Sequence, residues 1–343
     1  MPGHPVPPLR VASAAMAILV TGGAGYIGSV TTALLQERGE QVVVLDDCLR
    51  GHAESVPPGV PLVRGRVGDR SLVQSLVRSH KIDACVHFAA LAYVGESVEK
   101  PALYLQNNVI EGMALINELI ACGVRQFVFS STCATYGQPE RVPIDEGEPQ
   151  RPSNPYGWSK LMLEGVLRSF AMASDLRFVA LRYFNAAGAT RVHGEHHDPE
   201  THLIPLALRA ALGTGSVLKI FGTDYPTEDG TAIRDYIHVS DLASAHLRAL
   251  EHLRQGGGSE LINLGTGRGN SVLDVVEAVG RITGRPVARV LHPRRAGDPA
   301  RLVAKADRAA TVLGWRPLHS GLEEIVESAH AWAHDHPTGY GPG

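Results

Sequence analysis

Tyr156 and Lys160 stand four residues apart in Tyr156-Gly157-Trp158-Ser159-Lys160. On a helix that spacing puts both side chains on one face, with an ammonium able to sit near a phenol. A free phenol has a pKa near 10, so a phenolate base at neutral pH needs a shift of roughly three units, on the order of 4 kcal/mol. Nearby cations push in that direction. Upstream, Phe129-Ser130-Ser131-Thr132 ends an apolar run, and a hydroxyl there could hydrogen-bond a reacting alcohol or ketone. Taken singly, a Tyr/Lys pair is commonly solvated and a strand-end Ser/Thr commonly a cap. Their place behind a third motif makes Tyr156, Lys160 and Thr132 a candidate acid/base set.

That motif is Thr21-Gly22-Gly23-Ala24-Gly25-Tyr26-Ile27-Gly28, between a strand-like and a helix-like segment. Glycines let a backbone turn tightly and approach a pyrophosphate, whose charge meets amides at a helix N-terminus. About twenty residues on, Asp46 closes the next apolar run, where a carboxylate accepts hydrogen bonds from adenosine ribose hydroxyls. A 2′-phosphate would be repelled there, so the pattern favours NAD over NADP.

Positioning these groups requires a sheet. The runs 17–21, 41–46, 60–64, 83–88, 126–130 and 176–182 read as buried strands, and 26–38, 71–79, 101–122 and 155–173 as helices between several of them. Near-continuous Val, Ile, Leu and Phe separated by helices predicts an α/β fold, a Rossmann-like doubly wound parallel sheet. Beyond about residue 186 the pattern loosens into a smaller mixed α/β lobe, with helices expected over 203–212, 240–253, 272–282 and 322–332 and strands over 217–221 and 261–264.

The chain of 343 residues carries 32 Lys and Arg against 35 Asp and Glu, a net charge of −3. No general basic field is present for gripping nucleic acid or a membrane surface. Cys48, Cys85, Cys122 and Cys133 share no Cys-x-x-Cys spacing, which suggests a reducing compartment and no structural zinc. The apolar stretch 11–20 is too short and too weakly charged in front for a secretory leader. Residues 1–15 read as a disordered extension ahead of Met16, and 340–343 as a frayed end.

With those motifs in place, the chain resembles the extended short-chain dehydrogenase/reductase superfamily and, within it, the UDP-glucose 4-epimerase family. The likeness runs from Met16 to about Pro337. Besides the motifs above it rests on His87-Phe88-Ala89-Ala90, Val94-Gly95-Glu96-Ser97, Asn107-Asn108-Val109, Leu181-Arg182-Tyr183-Phe184-Asn185 and, most specifically, the run from Phe221 to Val239. It implies reversible interconversion of UDP-galactose and UDP-glucose in galactose metabolism, through a transient 4-keto sugar and tightly bound NAD. Tyr156 would exchange the 4-hydroxyl proton, Thr132 would hydrogen-bond the same oxygen, and Lys160 would hold the nicotinamide ribose and lower the Tyr156 pKa. Further cofactor contacts would come from Gly22, Gly25, Tyr26, Ile27, Gly28, Asp46, Val67, Phe88, Ala89, Ala90, Asn107 and Tyr183. Asn185, His202, Leu203, Phe221, Arg234, Arg295, Asp298 and Leu302 would bind the UDP-sugar. A cytoplasmic homodimer paired through the long helices is implied as well. The implied division is an NAD-binding domain over 16–186, a nucleotide-sugar lobe over 187–337, part of 234–265 returning to the first, and a tail over 338–343.

Four positions depart from the family pattern. Arg66 stands where many relatives have Asp at adenine, leaving Asp69 as the nearest acid; Ala92 replaces a Lys; His202 replaces an Asn. Leu302 falls where side-chain bulk gates N-acetylated sugars, and its intermediate size suggests a preference for plain hexoses. His193, His196, His197 and His202 cluster with Glu195 and Asp198, but their irregular loop spacing reads as solvated polar residues and no metal is expected. Arg294, Arg295, Arg301 and Asp298 read as a diphosphate clamp. A 4,6-dehydratase would need acids directly after Thr132, where Cys133 and Ala134 stand. The alternatives are a 4-epimerase for another UDP-sugar (N-acetylhexosamine, glucuronate or xylose) and a catalytically silent NAD-binding regulator.

Overall fold

Ala17-Ile18-Leu19-Val20-Thr21 is buried at every position, as a strand covered on both faces must be. The computed structural model describes residues 16–341 apart from Ala296, so the expected extension over 1–15 lies outside the described residues. The chain runs through β1 (Ala17–Thr21), α1 (Tyr26–Glu37), β2 (Gln41–Asp46), β3 (Leu62–Arg64), α2 (Arg70–His80), β4 (Ile82–His87), α3 (Val94–Glu99), α4 (Pro101–Tyr104), α5 (Gly112–Ala121), β5 (Gln126–Thr132), α6 (Pro155–Ala173) and β6 (Arg177–Tyr183). It continues through β7 (Asn185–Ala187), α7 (Leu203–Leu212), β8 (Leu218–Phe221), β9 (Ile233–Arg234), β10 (Tyr236–His238), α8 (Val239–Arg254), β11 (Glu260–Leu264), β12 (Asn270–Ser271), α9 (Val272–Thr283), β13 (Arg289–His292), β14 (Arg301–Leu302), α10 (Asp307–Leu313) and α11 (Leu322–Asp335).

Seven parallel strands form the main sheet in the order β11-β6-β5-β4-β1-β2-β3. Alternating strand residues divide between two cores. Ile18, Val20, Val44 and Val128 pack with Leu242, Leu250 and Leu253 of α8 on one face. Leu19, Val43, Leu45 and Phe127 pack with Leu76, Leu115 and Leu163 of α2, α5 and α6 on the other. A third core joins α7, α9 and α11 beneath the short pair β8 and β13. The order reverses between β1 and β4, and their carboxyl ends open the crevice where doubly wound folds take ligands.

Three local expectations are corrected. The third strand starts at Leu62 rather than Val60, because Pro61 has no N–H to give a ladder and only its carbonyl is used, by Val44 N at 2.9 Å. The stretch 101–122 is not one regular helix: Leu105–Glu111 widens into a π-helical turn. There the Asn108 amide holds both Leu91 N and O and the Ser159 hydroxyl, at 2.9–3.0 Å, and such wide turns recur at functional sites. Tyr340 is no frayed end: its hydroxyl bonds Gly194 N at 2.9 Å and O at 3.1 Å, and its ring packs on His52 and Trp332.

Candidate active site

The glycine turn is set by contact. A Cβ on Gly22 would come within 2.4 Å of Ala89 N, and one on Gly28 within 2.1 Å of Gly22 O. Gly25 caps α1 with no side-chain partner, and the first helical turn holds no acid. Its N-terminal amides and the positive end of its dipole are thus left for an anion. Asp46, at the end of β2, accepts from Ala24 N at 3.0 Å and Cys48 N at 2.8 Å. Burial raises its pKa while those two amides oppose the rise. A turn shaped by backbone closeness, an uncapped helix and a buried acid suit a dinucleotide with free ribose hydroxyls. Gly28→Ala is expected to destabilise the protein by about 1–3 kcal/mol through overpacking against a carbonyl that cannot yield, and to strip any copurifying dinucleotide. Absorbance and mass spectrometry of the purified variant check this.

Across the crevice, Phe88 N and Ala89 N both donate to Thr21 O, tying the end of β4 to the turn. The Phe88 ring lies 4.5 Å from that of His246, and Ala90 is half-buried. Thr21 Oγ1 meets His87 Nδ1 at 2.6 Å, and burial pulls His87 down to about 3, which keeps it neutral. Asn107 in the π-helical turn donates to Asn108 at 3.0 Å. Val67 is buried between β3 and α2.

Asn154 and Pro155 start α6, with Gly157 N donating to the Asn154 side chain at 2.8 Å. That start directs Tyr156 and Lys160 toward the end of β5. Lys160 is 3% exposed, its Nζ donates to Ser130 O at 2.9 Å and lies 6.0 Å from the centre of the Tyr156 ring. Burial draws Lys160 down to about 7, against an upward pull from Glu164. Burial pushes Tyr156 up to about 12, with the Thr132 hydroxyl working the other way. In the protein without a bound cofactor, burial governs the phenol, and Lys160 Nζ is held on the Ser130 carbonyl. Thr132 Oγ1 also accepts from Ala134 N at 3.1 Å. Tyr183 is hydrogen-bonded to Ser130. Cys133, next after Thr132, is pushed up to about 12 by burial and is no proton-transfer group at neutral pH.

In the second lobe, Arg234 Nη2 pairs with Asp298 at 2.5 Å, and Leu302 lies opposite Arg234 where β14 meets β9. The Arg295 guanidinium stacks 4.1 Å over the Phe221 ring. Of the other arginines in the expected clamp, Arg294 pairs with Asp224 and Arg301 with Glu228, both exposed carboxylates. Asn185 N donates to Asp235 O at 3.0 Å, which sets β7 beside the β9 to β10 turn. His202 is the N-cap residue of α7 and Leu203 begins it, but His202 faces Glu195 and Glu200 at 2.8 Å. Asp69 caps α2 through Leu72 N at 3.1 Å, and Arg66 pairs with Glu111.

Two groups of residues escaped the sequence reading. Glu164 and Arg182 form an ion pair at 2.6 Å with both side chains 1% exposed, extended by Ser131, Tyr136 and Asn263. Glu164 stands four residues after Lys160, the spacing that could have pointed to it. The second is Glu200, which joins Glu195, His197 and His202. The expected solvated loop is instead partly buried, while His193 is held by Ser55 O and His196 stacks on His52.

Comparison with known proteins follows the same lines. Residues 18–265 match the model of the NAD dependent epimerase/dehydratase family. The UDP-glucose 4-epimerase of Halalkalibacterium halodurans is 50% identical over 328 residues, 95% of this chain and 98% of that one. The crystal structure of UDP-glucose 4-epimerase from Brucella ovis in complex with NAD superposes with a TM-score of 0.90 at 49% identity, covering 92% of this chain and 98% of that chain. The enzyme from Bifidobacterium longum, solved with NAD+ and UDP, gives a TM-score of 0.90 at 35% identity over 94% of this chain and all of that one, 100%.

Proposed function

The chain belongs to the NAD dependent epimerase/dehydratase family, and from that premise we propose that it interconverts UDP-galactose and UDP-glucose by inverting carbon 4 of the sugar. The observation that carries the reading is the convergence of Tyr156, Thr132 and Lys160 at the carboxyl end of β5, in a chain 50% identical to a UDP-glucose 4-epimerase.

Tyr156 takes the proton of the sugar 4-hydroxyl and returns it to the same oxygen after the sugar has turned over. Thr132 hydrogen-bonds that oxygen, and Tyr183 and Lys160 shape the wall beside it. When bound, NAD supplies the acceptor and later donor of the hydride at carbon 4. Gly22, Gly25, Tyr26, Ile27, Gly28 and Asp46 hold its phosphates and adenosine ribose, and Val67, Phe88, Ala89, Ala90, Asn107, Lys160 and Tyr183 line its remainder. Asn185, Phe221, Arg234, Arg295 and Asp298 grip the UDP, with His202, Leu203 and Leu302 at the margins. A firm grip on the nucleotide with a loose one on the hexose is what a turning intermediate needs.

Exposed Leu103, Ile110, Met113, Trp158 and Met162 on the helices from α4 to α6 support a homodimer paired there. Among the described residues no helix is long and apolar enough to cross a membrane, and the four cysteines are free; we assign the enzyme to the cytoplasm.

The purified protein is expected to convert UDP-galactose to UDP-glucose with no NAD added. A redox product accumulating with NADH would overturn the assignment. Side-by-side turnover of UDP-galactose and UDP-N-acetylgalactosamine is expected to favour the former, and equal efficiencies would remove Leu302 as a gate.

A further inference from the structure

The loop between β7 and α7 brings four side chains to one point, and the proposed epimerisation assigns a role only to His202, at the margin of the UDP-sugar site. Glu195, His197, Glu200 and His202 each offer a ligand atom, and these atoms all lie within 4.8 Å of one another. His202 Nδ1 is 2.8 Å from Glu195 Oε1 and 2.8 Å from Glu200 Oε1, while His197 Nδ1 is 3.4 Å from Glu195 Oε1 and 3.8 Å from Glu200 Oε2. Around a tetrahedral Zn2+ with bonds of about 2.0–2.2 Å, neighbouring donor atoms stand about 3.3–3.6 Å apart. The distances straddle that spacing.

A second observation concerns what the donors lack. The Glu200 side chain is 1% exposed. Its Oε1 is fixed by Thr201 N at 2.7 Å and His202 N at 2.8 Å. Its Oε2, buried, has no hydrogen-bond partner among the described residues, and neither does the buried His197 Nδ1 facing it. Buried polar atoms without partners are rare, and an unseen ion is one of their ordinary explanations. The Glu195 and Glu200 carboxylates carry the charge that one divalent cation balances, and an imidazole bound to a metal adds none.

We propose that Glu195, His197, Glu200 and His202 bind one divalent transition-metal ion of the Zn2+ class. Two imidazoles and two carboxylates without a thiolate suit Zn2+ and its first-row neighbours over Mg2+ or Ca2+. The His197 ring lies edge-on to Tyr26 at 6.5 Å and to Tyr93 at 5.9 Å, and Tyr26 begins α1. A metal there ties the entry of α7, which carries Leu203, to the turn proposed to hold the cofactor. Its role is to fix the loop, and no step of the proposed reaction runs through it.

The test uses the untagged full-length chain, stripped with a chelator, dialysed and titrated calorimetrically with ZnCl2. The expected result is one equivalent bound with a rise in the thermal midpoint, and a loss of affinity of at least about a hundredfold in Glu195→Gln and His197→Gln, beyond the 10–100-fold that outer-shell changes cost. Glu251→Gln, on the exposed side of α8, is expected to bind as the parent does. Absence of stoichiometric binding, or undiminished binding in both variants, overturns the proposal. Should either variant fail to fold, Co2+ titration of the parent decides: intense visible bands of a tetrahedral site support the four ligands, and the weak spectrum of hydrated octahedral Co2+ overturns them.

Discussion

Tyr156→Phe is expected to slow epimerisation by about 10²–10⁴-fold, the span attributable to one positioned acid/base group, with UDP binding unchanged. The change removes one oxygen from a half-buried ring and leaves the Asn154 cap of α6 intact. Its effect thus falls on proton transfer rather than on the fold. With its pKa at about 12, Tyr156 is protonated at neutral pH. Lowering it to near 7 takes about 5 units, roughly 7 kcal/mol, which charge brought next to the phenol must supply. Lys160 provides that charge only while protonated, and at about 7 it is poised to lose its proton. The measurement is initial rate against UDP-galactose together with UDP affinity by calorimetry. A rate equal to that of the parent would remove Tyr156 from its role, and weakened UDP binding would show that the ring also shapes the nucleotide site.

Why the acid/base set was legible while its tuning was not follows from sequence distance. β1, β2 and α6 fall on the boundaries read from the chain because local features fix them. Fully buried strands read as unbroken apolar runs, and Asn154 with Pro155 marks a helix start. The glycine turn was legible for the same reason, since close backbone approach admits no other residue at Gly22 or Gly28. What was not legible depends on partners remote in sequence. Arg294 and Arg301 read as part of a diphosphate clamp, and the fold sets Asp224 and Glu228 beside them from about seventy residues away. Asp69, the acid nearest the position where relatives have Asp at adenine, is a helix cap. The Glu195 to His202 loop has no periodicity to read, and its convergence comes from chain bends packed on Tyr26 and Tyr93.

Removing Glu164 should have the largest effect on stability, and the pair it forms separates a structural role from a tuning one. Burial works against the charge of Arg182, yet the Glu164 carboxylate raises its pKa and holds it protonated. Glu164→Leu leaves that guanidinium 1% exposed with Tyr136 Oη at 2.9 Å as its remaining partner. The expected loss is about 3–5 kcal/mol, the cost of stranding one member of a buried pair, read from the denaturant midpoint. Glu164→Leu with Arg182→Met should recover most of it, because a buried ion pair and apolar side chains of similar volume are close in stability. Activity should not recover in step. Glu164 also raises Lys160, so both variants let the Lys160 pKa fall below about 7. The sign is fixed by linkage: a lysine depressed in the folded state binds fewer protons than the unfolded chain. Its contribution to stability therefore rises with pH from the folded pKa up to the ordinary lysine value. With Glu164 gone the lower edge of that window moves down, and the alkaline limb of the rate profile moves down with it. A double variant with restored stability and the parent pH profile would show that Glu164 serves Arg182 alone. Restored stability with a profile shifted toward acid would place Glu164 as a positioning residue acting on Tyr156 through Lys160.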